Sequence, residues 1–331
     1  MADLSTNNPT LADVAAALDP NGEIATIVEI LKTSSNDVLS SLTFQEGNLP
    51  TGHQSSIRTG IPTPTWRKLY GGVQPTAGSV AKVVDSIGML EDYAEVDKAL
   101  ADLNGNTAAF RMQEDTAHLQ GMNDTMASTL FYGNEGITPE AFTGLSPRFN
   151  SLSAANGLNI IDAGGTGSDN TSIWLCVWGP TTGFGIYPKG TRAGLQRSDK
   201  GQVTIENVDG AGGRMEAYRT HYRWDVGLSI RDWRYFVRIA NIDVSDLSVA
   251  ANQAKLVDYM IMATERIPSF GVGRAAFYCN RGIREKLRLG MLSKTAYNLS
   301  WETVEGKRVL TFDDIPVYRA DALLNSEARV V

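Results

Sequence analysis

Apolar positions change period several times along the chain, and each change marks an element. The clearest alternation runs from Tyr218 to Arg231. Tyr218, Tyr222, Trp224, Val226, Leu228 and Ile230 share one face, and Arg219, His221, Arg223, Asp225, Ser229 and Arg231 share the other. That period of two predicts a strand with one core face and one wet face. Ile173 to Trp178 is a continuous apolar run, as in a strand buried on both faces. Thr107 to Leu130 instead spaces Phe110, Ala117, Leu119, Met122, Met126 and Leu130 for a helix that Gly133 stops. At 1.5 Å per residue this helix would be about 36 Å long. Gly121 inside it costs about 1 kcal/mol relative to alanine, so packing has to compensate.

Shorter patterns fill in the rest. Val96, Leu100 and Leu103 predict a helix over Glu91–Leu103, ended by Asn104-Gly105-Asn106. Phe236–Ile242 and Ala275–Cys279 read as strands, and Ser248–Thr264 and Arg281–Leu289 as helices. Tyr297–Thr303 and Lys307–Phe312 read as a hairpin across Glu305-Gly306. Ala163 to Asp169 is a flexible surface loop by composition. There is no βαβ repeat and no internal sequence repeat, so the expected class is α+β.

The first fifty residues form an arm, with a turn at Asp19-Pro20-Asn21-Gly22 and one short helix carried by Ile24, Ile27, Val28 and Leu31. From Gly47 to Pro75, prolines and glycines punctuate a stretch too poor in apolar residues to build a core of its own. Ile57–Tyr70 and Ser79–Leu90 read as two extended runs around a tip at Gly71–Gly78, a long hairpin. An isolated two-stranded hairpin is marginal in water. Its large side chains, Trp66 and Tyr70 among them, need either the hairpin's own domain or another copy of the chain, and composition leaves both open.

The 331 residues suffice for a substantial core and roughly two domains. Thirty Lys and Arg against 37 Asp and Glu give a net charge of -7, so no global positive field favours nucleic acid. Cys176 and Cys279 lie in apolar runs, where cysteine acts as a small buried hydrophobe rather than a disulfide partner. Neither a leader pattern near Met1 nor an apolar run approaching a membrane span is apparent, which points to a cytoplasmic chain.

Candidate chemistry is sparse. His53, His118 and His221 fall in three separate predicted elements with no second ligand at metal spacing. Gly271 to Ala276 matches a loose G-x-G-x-x-A pattern, but Phe277-Tyr278-Cys279 continues as a strand where a dinucleotide fingerprint opens a helix. Asp313-Asp314 and Glu91-Asp92 are carboxylate neighbours of the kind found at turns and helix starts. Arg281, Arg284, Lys286 and Arg288 form a local basic patch suited to solvent or a partner. No catalytic, cofactor-binding or metal site is expected.

Five ordered stretches carry a resemblance. They are Pro64 to Val73 leading to Glu95-Val96-Asp97, Phe131-Tyr132-Gly133 with Pro139 to Leu145, Tyr187 to Gly190 with Ala193 to Leu195, Trp224 to Leu228 with Val237 to Asp243, and Ile315 to Arg319 with Asp321 to Leu323. Together they resemble the major capsid proteins of short-tailed phages of the epsilon15-like and Bordetella-phage type. That resemblance implies an HK97-like capsid fold with an N-terminal arm over 1–50, an extended β-hairpin loop (E-loop) over 51–90, and a peripheral domain with a long spine helix over 91–135 and 290–331. Residues 136–289 would hold the axial domain and its connections, with Gly-rich tips near 164 and 210. It also implies a structural, non-enzymatic subunit that assembles through hexamers and pentamers into an icosahedral head around phage double-stranded DNA, bound without sequence preference. Trp66, Arg67, Tyr70, Gly71, Gly72 and Pro75 would make the inter-subunit contacts. A decoration or cementing protein, a portal and a scaffolding function are the implied partners, with no membrane, and assembly in the host cytoplasm precedes residence in the virion. Some relatives cross-link a Lys to an Asn or Asp beside a catalytic acid, and no such trio is evident, so noncovalent stabilisation is expected. A phage decoration or accessory protein is the alternative, which the long helix argues against. An α/β oxidoreductase resting on Gly271 to Ala276 is a remote one.

Overall fold

A computed structural model describes residues 37–102, 107–208, 210–292, 299–304 and 307–331. The arm's expected helix at Ile24–Leu31, the break at Asn104–Asn106 and the turn at Glu305-Gly306 lie outside the described residues. Strands follow in the order β1 (Phe44–Glu46), β2 (Gly52–Gly60), β3 (Ser79–Asp97), β4 (Ile160–Asp162), β5 (Asn170–Trp178), β6 (Gly183–Tyr187), β7 (Gln196–Glu206) and β8 (Arg214–Ile230). They continue as β9 (Phe236–Asp243), β10 (Arg274–Cys279), β11 (Leu299–Val304), β12 (Lys307–Phe312) and β13 (Ile315–Arg319). The longer helices are α1 (Thr107–Tyr132), α2 (Ala250–Arg266) and α3 (Arg281–Leu292). Two mixed sheets result, one ordered β1-β6-β8-β3-β2 with β7 added on β8, the other β11-β12-β13-β10-β5-β9-β4.

The chain forms two compact units. One holds 89–126 and 194–225 among the described residues, and the other holds 37–88, 127–193 and 226–331. This partition differs from the one expected from sequence. Residues 299–331 carry β11–β13, which continue the large sheet through the β13–β10 pairing, and 194–225 falls with the first part of the long helix.

In the larger unit β5 is central, antiparallel to both β9 and β10, and every one of its residues is buried. The continuous apolar run is therefore a doubly covered strand, and its period of two sorts the two faces. Ile173, Leu175 and Val177 join Leu256, Met260, Ala263, Ile283 and Leu287 of α2 and α3 in an aliphatic core. The alternate residues meet aromatics: Trp174 packs edge-on to Phe149 at 5.7 Å and Trp178 edge-on to Phe236 at 5.2 Å. Cys176 and Cys279 are free and fully buried, as expected of small hydrophobes. Burial pushes both thiols up, Cys279 to about 12. Strand β10 begins at Arg274, directly after the Gly271–Gly273 segment, so the G-x-G-x-x-A match leads into a strand, as read from sequence. The loop expected to be flexible is tied down: Gly165 N donates to the Asn241 carbonyl at 2.8 Å, and Asn170 Nδ2 to Gly167 O at 2.8 Å.

A buried polar network locks the C-terminal segment onto this sheet. Arg238 of β9 and Glu327 pair at 2.8 Å with their side chains only 2% and 4% exposed. Arg238 also donates to Phe149 O at 2.7 Å and Ser172 Oγ at 3.0 Å and lies over the Trp174 ring, while Ser172 Oγ and Tyr132 Oη donate to the Glu327 carboxylate. Next to it the Asn241 amide donates to Val330 O at 2.9 Å and accepts from Val330 N at 2.8 Å, as a strand partner would.

The smaller unit corrects one expectation. Where Glu91–Leu103 reads as a helix, β3 runs on to Asp97 and only Lys98–Ala101 makes a helical turn, capped by the Asp97 carboxylate on Ala99 N. The strand wins because neighbouring β8 supplies cross-strand partners: Tyr93 stacks on His221 at 4.5 Å, and Arg219 pairs with Glu95 at 2.6 Å. Ala94 and Val96 alternate inward, Val96 with Phe110 and Ala101, Ala94 with Met122 and Tyr222. The long helix is present as predicted and extends to Tyr132, where Gly133 N donates back to Thr129 O. The wet face of β8 is only partly wet: Asp225 and Ser229 are buried. Polar side chains stay on a covered face when partners satisfy them, and Asp225 holds Arg223 at 3.0 Å. The glycine-rich stretch near 210, expected as an axial-domain tip, lies in the β7–β8 turn of this smaller unit, entered by Asn207 in the left-handed region.

Two outcomes follow. Glu327→Ala, which strands the Arg238 charge, should destabilise the unassembled subunit by about 3–5 kcal/mol in denaturant unfolding, whereas Arg238→Met with Glu327→Leu should recover most of that loss. Neither cysteine should react with a thiol reagent at pH 8 until the chain is denatured.

Candidate functional site

Strands β2 and β3 pair antiparallel from Gly52↔Ser86 to Arg58↔Val80, with a register shift between Arg58 and Gly60. Sequence places the first strand at Ile57–Tyr70 and the tip at Gly71–Gly78. The structure moves the strand back to Gly52–Gly60 and leaves 61–78 outside any strand. Pro62 and Pro64 explain the shift, since neither has an N–H to give to a ladder.

All six residues expected to touch a neighbour, Trp66, Arg67, Tyr70, Gly71, Gly72 and Pro75, fall in this one tip, and all are exposed. Exposure is extreme for the apolar ones: Trp66 102%, Tyr70 101%, Leu69 91% and Ile61 82%. Soluble surfaces rarely present contiguous apolar side chains of this size unless something covers them. Gly71 N closes a turn on Lys68 O at 3.0 Å, and Tyr70 sits at φ 61, a left-handed conformation uncommon for an aromatic residue. A Cβ on Gly72 would meet nothing within 4 Å. The only charged residues in 61–78 are Arg67 and Lys68. The tip is thus an apolar knob with two positive charges.

The base is as constrained as the tip is bare. Outer strand β2 is the end of its sheet, and the Asn48 side chain covers part of that edge by accepting from Gln54 N at 2.8 Å and donating to Gln54 O at 2.7 Å. Asp85 of β3 is buried, pairs with Arg148 at 2.9 Å and accepts from Ser229 Oγ at 2.7 Å. Arg148 also donates to Thr143 O and Leu228 O. Gly88 lies so close to the backbone of 140–142 that a Cβ there would be 3.0 Å from Glu140 O. Opposite, buried His53 accepts from Arg231 Nη2 at 3.1 Å and meets Phe184 edge-on at 5.5 Å, with Arg231 over the same ring at 4.9 Å. Burial, then the Arg231 charge, lowers the His53 pKa, which keeps the ring neutral.

Sequence reading missed this base. Its parts come from β2, β3, β8 and the segment near Arg148, and the one local signal is Asp85, a lone carboxylate in the run Val83-Val84-Asp85-Ser86-Ile87. Among the described residues no group of three or more His, Cys, Asp or Glu could hold a metal, and no helix is long and apolar enough to cross a membrane.

The model of a family described as major capsid protein GP7 matches residues 19–331. No curated protein matches the chain. Among solved structures, a chain of bacteriophage epsilon15 is 38% identical, with a TM-score of 0.77 over 100% of this chain and 99% of that one. A capsid chain of bacteriophage JBD30 is 10% identical, with a TM-score of 0.47 over 95% of this chain and 99% of that one. A chain of Microbacterium phage Oxtober96 is 13% identical, with a TM-score of 0.45 over 70% of this chain and 98% of that one. The family match and the full-length epsilon15 match together show that the chain belongs to the GP7 major capsid protein family and is a structural capsid subunit of a tailed-bacteriophage virion with the HK97-like α+β fold.

Proposed function

We propose that the β2–β3 hairpin is the element by which each subunit grips a neighbouring copy in the shell, with Trp66, Arg67, Tyr70, Gly71, Gly72 and Pro75 at the contact. The observation that carries this reading is the contrast along one hairpin: a base held by buried Asp85, Arg148 and Ser229, and a tip whose Trp66 and Tyr70 are fully exposed. A contact of this kind joins different surfaces on the two copies, so it is heterologous and can close into rings. Rings of six and five would then tile an icosahedral head around double-stranded DNA. Each contact is modest, and the shell gains strength from their number.

The unit with 89–126 and 194–225 would be the peripheral domain, built on the first part of the spine helix, and the larger unit would carry the axial domain. The subunit acts by assembly and catalyses nothing, which fits its buried thiols and its histidines, each engaged with a neighbouring side chain. A net charge of -7 suits a wall that encloses DNA without gripping it. Assembly takes place in the host cytoplasm, with a portal, a scaffolding function and a decoration protein as further partners.

Trp66→Ala, or deletion of Thr65 to Thr76, should give a soluble chain with unchanged circular dichroism that forms no shells in sedimentation and negative-stain microscopy. Normal shells from either variant would refute the assignment. The base predicts a pH dependence. The folded-state pKa of His53 lies below its unfolded value, so its contribution to stability is complete above about pH 6.5 and is lost as pH falls through the folded pKa. The melting temperature of the unassembled subunit should drop between pH 7 and 5, and His53→Gln should flatten that drop.

A further inference from the structure

The knob at the hairpin tip has a counterpart on the same chain. A cleft of about 550 Å³ lies where the end of α2 meets the β12–β13 turn, lined by Glu265, Ile267, Phe270, Asp313, Asp314 and Ile315 among others. Its size is in the range that accepts a buried side-chain cluster or a small ligand. Phe270 is exposed here, and Ile261 and Met262 are exposed on the α2 face that also carries Asp258 and Glu265. Asp313 and Asp314 both take positive φ, 46° and 64°, in the two-residue turn between Phe312 and Ile315, so the turn geometry fixes two carboxylates at the cleft.

The balance of charge separates this cleft from its main rival. A groove on α1 beside β7 also has apolar lining, Ala108, Met112 and Leu119, but its acids are already matched, Asp115 by Arg197 at 2.8 Å and Asp199 by Arg111 at 2.7 Å. Glu265, Asp313 and Asp314 form no ion pair with any described residue. The tip brings the opposite pattern, Arg67 and Lys68 among Trp66, Leu69 and Tyr70, with no acid between 61 and 78.

From this complementarity we infer that the hairpin tip of one copy docks in the Glu265–Phe270–Asp313–Asp314 cleft of a second copy, Trp66 and Leu69 against Ile267 and Phe270, and Arg67 and Lys68 against the three carboxylates. The inference rests on the reading of the hairpin as an inter-subunit contact and adds the surface that receives it. Apolar burial supplies affinity, and the opposed charges set which surface is chosen.

Charge exchange tests it on the full chain, with shell formation read by sedimentation and electron microscopy and folding checked by circular dichroism. Arg67→Glu with Lys68→Glu should abolish shells, as should Glu265→Lys with Asp313→Asn and Asp314→Asn, where asparagine keeps the positive φ accessible. The chain carrying both sets should assemble again. Shells from the cleft variant while the tip variant stays soluble would overturn the cleft and leave the hairpin contact standing. Shells from both single sets would overturn the hairpin contact as well, and a doubly exchanged chain that stays soluble would overturn the pairing. A second measurement does not depend on losing assembly. In shells of the otherwise unaltered chain, Thr65→Cys should form an inter-subunit disulfide with Ser269→Cys on the rim of the cleft and not with Thr116→Cys on α1. The reverse pattern, or no disulfide with either, would overturn the inference.

Discussion

A two-stranded hairpin cannot bury the apolar side chains at its own tip, and the rest of this subunit is arranged around that constraint. Both faces of a lone hairpin meet water, so no packing within residues 61–78 covers Trp66, Leu69 and Tyr70. Their apolar area is stabilising only when another surface removes it from water. On the proposed reading of the hairpin, a monomer that carries such a tip holds back part of its hydrophobic free energy until it meets another copy, which would couple folding of the subunit to growth of the shell.

The coupling works only if the lever is stiff. Asp85, Arg148 and Ser229 tie β3 to the body through buried, charge-assisted hydrogen bonds, and the Asn48 amide occupies backbone groups on the outer edge of β2. The Asn48 contact also limits wrong association, because an unsatisfied strand edge recruits other strands indiscriminately. Beneath the base, the large sheet is consolidated by β5 and by the Arg238–Glu327 network, which brings the end of the chain back against β9. Burying that ion pair is costly without its added partners, and Ser172, Tyr132 and the Phe149 carbonyl supply them.

Much of this was legible in the sequence where one physical signal dominated. Continuous apolarity gave β5, helical spacing and Gly133 gave α1, and proline and glycine punctuation marked the region of the hairpin, although its first strand lies earlier than the sequence pattern places it. Legibility failed where tertiary partners decide. Glu91–Asp97 has spacing compatible with a helix, and only the stacking of Tyr93 on His221 and the pairing of Glu95 with Arg219 make it a strand. Strand β7 (Gln-Arg-Ser-Asp-Lys-Gly-Gln-Val-Thr-Ile-Glu) lacks an apolar face because it pairs only with β8 at the margin of its sheet. The hairpin base draws on four distant segments, so no local pattern announces it. The cleft at Asp313-Asp314 looked like an ordinary acidic turn, and only the fold brings Glu265 and Phe270 beside it.

The most direct test of the central claim is a cryo-EM map of assembled particles at a resolution that shows side chains. The account predicts residues 61–78 of each subunit lying on another copy, with Trp66 removed from solvent at the contact. A tip folded back on its own subunit, or left projecting into solvent in the mature shell, would contradict it.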